Sequence, residues 1–160
     1  MFNKILVAVD GSEYSRQAVP AAIEVAKKFE VGIFVLHVHE HDLGRAAAYP
    51  VESEDQAVQI VADAVEVIRA AGVSAEGEVR VAFMGQVADE IAETAAIQGA
   101  NLIVMGSRGL SDVAGLFLGS VTHKVIRLAK AAVLIDRTAP VVETASAEAA
   151  PAVASDYAFA

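Results

Sequence analysis

The sequence predicts an α/β domain in which a mostly parallel sheet is flanked by helices. Three observations carry that prediction. Short apolar runs alternate with longer stretches whose apolar residues recur at helical spacing. The runs Ile5–Val9 and Leu102–Met105 are apolar without interruption, as central parallel strands buried on both faces are. The chain of 160 residues accommodates one domain with a sizeable core, whereas two would be cramped.

Ile5–Val9 reads as the first strand, closed by Asp10-Gly11-Ser12, residue types that cap a helix start. The helix expected over Glu13–Phe29 aligns Ala18, Ala22, Val25, Ala26 and Phe29 on one face. Pro20 lies inside it and removes one backbone bond, which predicts a kink. Val31–Val38 reads as the second strand. His39–Ser53 reads as a polar, irregular connection, with a short helix over Arg45–Ala48 as the alternative. Glu54–Ala71 is amphipathic through Ala57, Ile60, Val61, Ala64, Val65 and Ile68, and Gly72 stops it. Glu78–Val81 is a weaker, more polar strand suited to a place near an edge. Gln86–Gln98 is a helix with Asp89 and Glu90 in its first turn, where the helix dipole favours them. Leu102–Met105, a helix over Gly119–Lys130 and a last strand Ala132–Ile135 complete the domain, taken as residues 1–137. Residues 138–160 are Ala-rich without sustained periodicity and read as a flexible tail, an Ala-rich helix being the alternative.

Composition narrows the function classes. Twelve Lys and Arg against 21 Asp and Glu give a net charge of −9, which disfavours a surface for nucleic-acid phosphates. No apolar run approaches the ~18–20 residues that cross a bilayer, so no membrane contact is expected. Asp10 interrupts the first apolar stretch, unlike a secretory leader, and a cytoplasmic location is expected. Cysteine is absent, which removes disulfides, thiolate metal sites and thiol catalysis.

The most informative spacing follows the fourth strand: Gly106-Ser107-Arg108-Gly109, nine residues, then Gly119-Ser120. Glycines at a strand end let backbone approach a ligand closely. Gly-Ser at a helix start aims backbone N–H groups and a hydroxyl at an anion, with Gly119, Ser120 and Val121 as donors. In doubly wound sheets ligands bind beyond the carboxyl ends of strands where the strand order reverses. If strands one and four are neighbours, this loop and Asp10-Gly11-Ser12 meet in one crevice, Asp10 accepting from a ribose or base.

These residues resemble the universal stress protein family, in its ATP-binding branch, and the resemblance runs from Asn3 to Ile135. Lys4-Ile5-Leu6-Val7-Ala8-Val9-Asp10-Gly11-Ser12 is similar to the family's first strand and turn. Gly85 matches the turn before its third helix, and Gly106-x2-Gly109-x9-Gly119-Ser120 matches its ATP-binding signature. The resemblance implies a five-stranded parallel sheet in the order 3-2-1-4-5 and a homodimer, commonly through the last strand. It also implies that Asp10 contacts the adenosine, with Val9 and Val38 near the base, and that Gly106, Gly109, Gly119, Ser120 and Val121 hold ribose and phosphates. Gly11, Ser12, Met105 and Arg108 complete the candidate set, with ATP as cofactor together with Mg2+ or Mn2+. Ala131-Ala132 stands where relatives often carry Cys-Pro, which puts only the approach to the last strand in doubt.

The function these readings imply is a dimeric, nucleotide-linked stress sensor or regulator acting on an unknown protein partner, with at most slow hydrolysis. No Gly-x4-Gly-Lys-Ser/Thr loop occurs, and Ser107, Ser111 and Ser120 lack a nearby base, so neither fast phosphoryl transfer nor a hydrolase triad is indicated. The rivals are an interaction module with the same fold and no nucleotide, and a weak adenine-nucleotide hydrolase. His37, His39 and His41 alternate and would share a face if extended; the strand is expected to end near His39, which breaks that spacing. His123 reads as a surface histidine.

Overall fold

The computed structural model describes residues 1–41, 52–83, 85–109 and 118–137, without the side chain of His41. The expectations for the connection after His41, for Leu110 onward in the glycine loop and for the tail 138–160 lie outside the described residues.

Nine elements alternate along the described chain: β1 (Lys4–Ala8), α1 (Glu13–Phe29), β2 (Gly32–His41), α2 (Glu54–Ala70), β3 (Ala75–Phe83), α3 (Val87–Ile97), β4 (Leu102–Gly106), α4 (Ser120–Leu128) and β5 (Ala132–Asp136). All paired strands are parallel, and the sheet order is β3-β2-β1-β4-β5. The α/β architecture and the 3-2-1-4-5 order are those the sequence led us to expect.

Alternation along the strands divides the core into two layers. Ile5, Val7, Val9, Ile33, Val35, Leu102 and Val104 pack on one face with Ala18, Ala22 and Ala26 of α1 and with Val61, Ala64 and Ile68 of α2. Leu6, Ala8, Phe34, Leu36, Ile103 and Met105 pack on the other with Ala88 and Ile91 of α3 and Val125 of α4. Ile5, Leu6, Val7, Ile103 and Val104 are completely inaccessible. Each such side chain contributes roughly 1.5–3 kcal/mol of burial free energy, so the central pair β1–β4 is the least deformable part of the sheet.

Helix starts follow their caps. Ser53 and Gln56 form a reciprocal capping box on α2, with Gln56 N–H donating to Ser53 Oγ at 3.2 Å and Ser53 N–H to Gln56 Oε1 at 2.8 Å. α1 continues as one helix through Pro20, which lies on its exposed side. There a missing backbone bond is compensated by water at least cost.

Two strands are longer than their sequence patterns. β3 spans Ala75–Phe83, beyond the expected Glu78–Val81, because an edge strand tolerates charged residues: Glu76 is exposed, and the half-buried Arg80 pairs with Glu78 and with Glu90 of α3. β2 runs to His41, paired with Phe83 of β3, so the expected break near His39 does not occur. His37 and His39 therefore stay on one face, 3% and 5% exposed. Among the described residues no helix is long and apolar enough to cross a membrane.

Candidate functional site

The chain reverses its direction of travel across the sheet between β1 and β4. β1 pairs with β2 on one side and β4 on the other, while β3 and β5 are the outer strands. A crevice at the carboxyl ends of β1 and β4 follows from that arrangement.

On the β1 side, Gly11 adopts φ +77°, a left-handed turn that glycine takes without strain. The turn folds Asp10 back onto the helix start. Asp10 Oδ1 accepts from the Ser12 N–H at 3.0 Å and from the Ser12 hydroxyl at 2.5 Å. Ser12 Oγ caps α1 by accepting from the Ser15 N–H at 3.2 Å, and Ser15 Oγ accepts from the Asp10 N–H at 3.2 Å. Ser12 is thus a helix cap whose hydroxyl is committed locally, and it orients Asp10.

On the β4 side, a Cβ at Gly106 would stand 2.7 Å from the Tyr14 carbonyl oxygen and 3.1 Å from the Ser15 nitrogen. Glycine there lets β4 run directly beneath the first turn of α1. A Cβ at Gly109 would stand 2.5 Å from Asp10 Oδ2. The two strand-end segments therefore touch, and the space at their junction is the kind that only a missing side chain leaves. Arg108 extends over the ring of Tyr14, with its guanidinium carbon 5.7 Å from the ring centroid.

The loop's return is tied to the same centre. Gly119 N–H donates to the Ser107 carbonyl at 2.8 Å, Ser107 N–H to the Asp136 carbonyl at 2.8 Å, and Thr122 Oγ1 to the Gly106 carbonyl at 3.1 Å. These bonds hold the N-terminus of α4 against the end of β4. The Gly119 amide, expected as a phosphate donor, is bonded here to the Ser107 carbonyl. Gly119 instead serves as the cap residue of α4, with φ −66° and ψ 156°. Ser120, Val121 and Thr122 occupy the first turn, where a helix supplies no acceptors for its own amides.

The candidate residues divide between the two faces of the sheet. Val38, Met105 and Val121 belong to the layer with α3 and α4. The Val9 side chain belongs to the layer with α1 and α2, and Val9 and Gly11 border a cavity of about 240 Å³ there with Val19, Ile60 and Val67. The side chains of Val9 and Val38, both expected near the base, thus lie on opposite faces of the sheet. Tyr14, Ser15 and Thr122 were missed as supports of the site. Thr122 alone had a sequence signal, two residues past Ser120 in a helix's first turn.

His37 is bonded through both ring nitrogens, Nδ1 to the Val9 carbonyl at 2.8 Å and Nε2 to Glu52 Oε2 at 2.7 Å. Among the described residues no cluster of three or more His, Cys, Asp or Glu is arranged to hold a metal ion.

A parallel sheet in the order 3-2-1-4-5 with helices on both faces defines a Rossmann-like α/β domain. Residues 1–137 match the universal stress protein family, and the chain belongs to it. Universal stress protein YxiE of Bacillus subtilis is 36% identical over 156 residues, an alignment covering 86% of this chain and all of that one. A crystal structure of a universal stress protein in complex with cAMP superposes with a TM-score of 0.64 at 29% identity, covering 86% of this chain and 99% of the other. The universal stress protein from Archaeoglobus fulgidus in complex with dAMP gives 0.62 at 27% identity, covering 83% and 96%.

Proposed function

We propose that the crevice between β1 and β4 binds an adenine nucleotide, ATP with Mg2+ or Mn2+ foremost, and that the protein is a nucleotide-linked stress regulator. The observation that carries this reading is the contact of Gly109 with Asp10 Oδ2, where a side chain at 109 would fill the junction. Met105 and Val38 offer an apolar wall on the same face as Val121, and the first turn of α4 offers amides to phosphate. Arg108, steadied on Tyr14, supplies the positive charge beside them. The cAMP and dAMP complexes of the two similar proteins support an adenine ligand. The sequence carries no Gly-x4-Gly-Lys-Ser/Thr loop to grip the outer phosphates, and the reading is retention of nucleotide with at most slow hydrolysis.

The test is direct. Protein purified without added nucleotide is denatured, and the released small molecules are identified by mass. The melting temperature is then followed with millimolar Mg-ATP, Mn-ATP and Mg-GTP. Release of an adenine nucleotide and a rise in melting temperature with ATP are expected. The absence of both release and shift would overturn the reading in favour of an interaction module without nucleotide.

We propose further that the protein is a homodimer through β5. β5 is an outer strand of apolar Val133, Leu134 and Ile135, and Ile126 and Leu128 on neighbouring α4 are 44% and 47% exposed. A second copy would cover both the strand edge and these side chains. Light scattering is expected to give twice the chain mass, both for the full chain and after truncation at Thr138. Leu134→Lys is expected to give the monomer mass, and a dimer that survives this change places the interface elsewhere.

A further inference from the structure

The buried contact beneath the Asp10 turn requires a proton. The carbonyl of Val9 only accepts hydrogen bonds, so His37 Nδ1 carries a hydrogen and donates to it at 2.8 Å. Nε2 then faces Glu52 Oε2 at 2.7 Å. Without a proton on one of those two atoms, two lone pairs would meet at a histidine whose side chain is 4% exposed. One proton therefore lies along the Nε2–Oε2 line, whichever atom holds it. The Glu52 side chain is 23% exposed, so that proton exchanges with solvent.

What the histidine holds is the strand end itself. The last registered pair of β1 and β2 is Ala8 with Leu36, and the Val9 N–H still donates to the Leu36 carbonyl at 2.9 Å. One atom group further, the His37 side chain takes the Val9 carbonyl. The next residue is Asp10, with Oδ1 on Ser12 and Oδ2 against Gly109. Loss of the proton would set the Nε2 lone pair against the Glu52 carboxylate and disfavour the ring position that holds the Val9 carbonyl, one residue before Asp10.

We propose that His37 is the positioning residue of the Val9–Asp10 turn and that, through the proton it shares with Glu52, nucleotide affinity at the crevice is linked to pH. The proposal rests on the adenine-nucleotide reading above. Arg16 of α1 and Asp63 of α2 border the cavity beside Val9 on this side of the sheet. His39 follows two residues on along β2, Asp10 follows β1, Glu54 and Asp55 open α2 next to Glu52, and the register partner on β3, Val79, carries no charge.

The test compares wild type, Glu52→Gln and Glu52→Ala by Mg-ATP affinity at about pH 6 and about pH 8.5. A glutamine amide donates an N–H to the Nε2 lone pair and so replaces the proton. Ratios between variants cancel the titration of ATP and of the other groups named. Glu52→Gln is expected to equal wild type at the lower pH and to bind at least about fivefold more tightly than wild type at the higher one. Glu52→Ala is expected to bind more weakly than both at the lower pH. A ratio of Glu52→Gln to wild type that does not change with pH overturns the proposal, as does equal behaviour of the two variants. Absence of Mg-ATP binding by wild type at both pH values overturns the nucleotide reading and this proposal with it; binding with a constant ratio overturns this proposal alone.

Discussion

Gly106→Val is expected to destabilise the protein by ~3 kcal/mol or more, or to prevent its accumulation in folded form. The atoms a Cβ would meet are the Tyr14 carbonyl carbon and oxygen and the Ser15 nitrogen, at 2.8, 2.7 and 3.1 Å. All three are backbone, so no rotamer change relieves the overlap. They belong to the first turn of α1, which Ser12 and Ser15 knit to Asp10. β4 is fully buried between β1 and β5, so it has no room to retreat. Relief therefore requires α1 to lift from the sheet, opening the layer in which Ala18, Ala22 and Ala26 contact Val7 and Val104. Gly119→Ala is the control, since a Cβ there comes no nearer than 3.5 Å to Arg108 Cα and Ser107 O. Urea denaturation of both variants checks the contrast, and equal midpoints would show that Gly106 is not packed as described.

That contrast bears on what the sequence could disclose. Spacing alone presented Gly106, Gly109 and Gly119 as equivalent members of one signature. The structure gives them three physical roles: close passage beneath a helix, contact with a carboxylate, and a helix cap. Which backbone crosses a glycine is a long-range fact, fixed by the β1–β4 pairing and not by neighbours in the chain. The strands were legible because Ile5–Val9 and Leu102–Met105 are apolar on both faces, a pattern set by burial alone. β3 was underestimated because Glu76, Glu78 and Arg80 mask strand periodicity on an edge, and its pairing with β2 is what carries β2 on to His41. The strand was expected to end near His39 for the same reason. The facing of Val9 away from Val38 was readable in principle, since their positions differ in parity along neighbouring strands, with Ala8 opposite Leu36 fixing the register. Tyr14 and Ser15 support the site through contacts that no local pattern records.

Asp10→Asn and Gly119→Val are expected to remain folded while losing most or all of the stabilisation that Mg-ATP confers. Asparagine keeps Oδ1 as the acceptor for Ser12, so the cap of α1 and the turn at Gly11 persist. What it removes is the negative charge at Oδ2, the atom facing Gly109 across the junction. Valine at 119 keeps the extended backbone already present there, φ −66° and ψ 156°, and its amide still reaches Ser107. Its two methyl groups stand at the mouth of α4's first turn, where phosphate would approach the amides of Ser120 and Val121. A ligand at a hundred times its Kd stabilises a folded protein by about 2.7 kcal/mol, and each tenfold loss of affinity removes about 1.4 kcal/mol of that. Wild type at such a concentration should therefore show a clear rise in melting temperature, Asp10→Asn at most half of that stabilisation, and Gly119→Val none. The ligand-free melting temperatures separate the two ways of failing. Variants that melt near wild type without ATP yet gain nothing from it have lost the site, whereas variants that gain the full shift show that nucleotide binds without Asp10 and without the first turn of α4. Because the two substitutions act from opposite strand ends, loss in both also requires that a single ligand spans the crevice between β1 and β4.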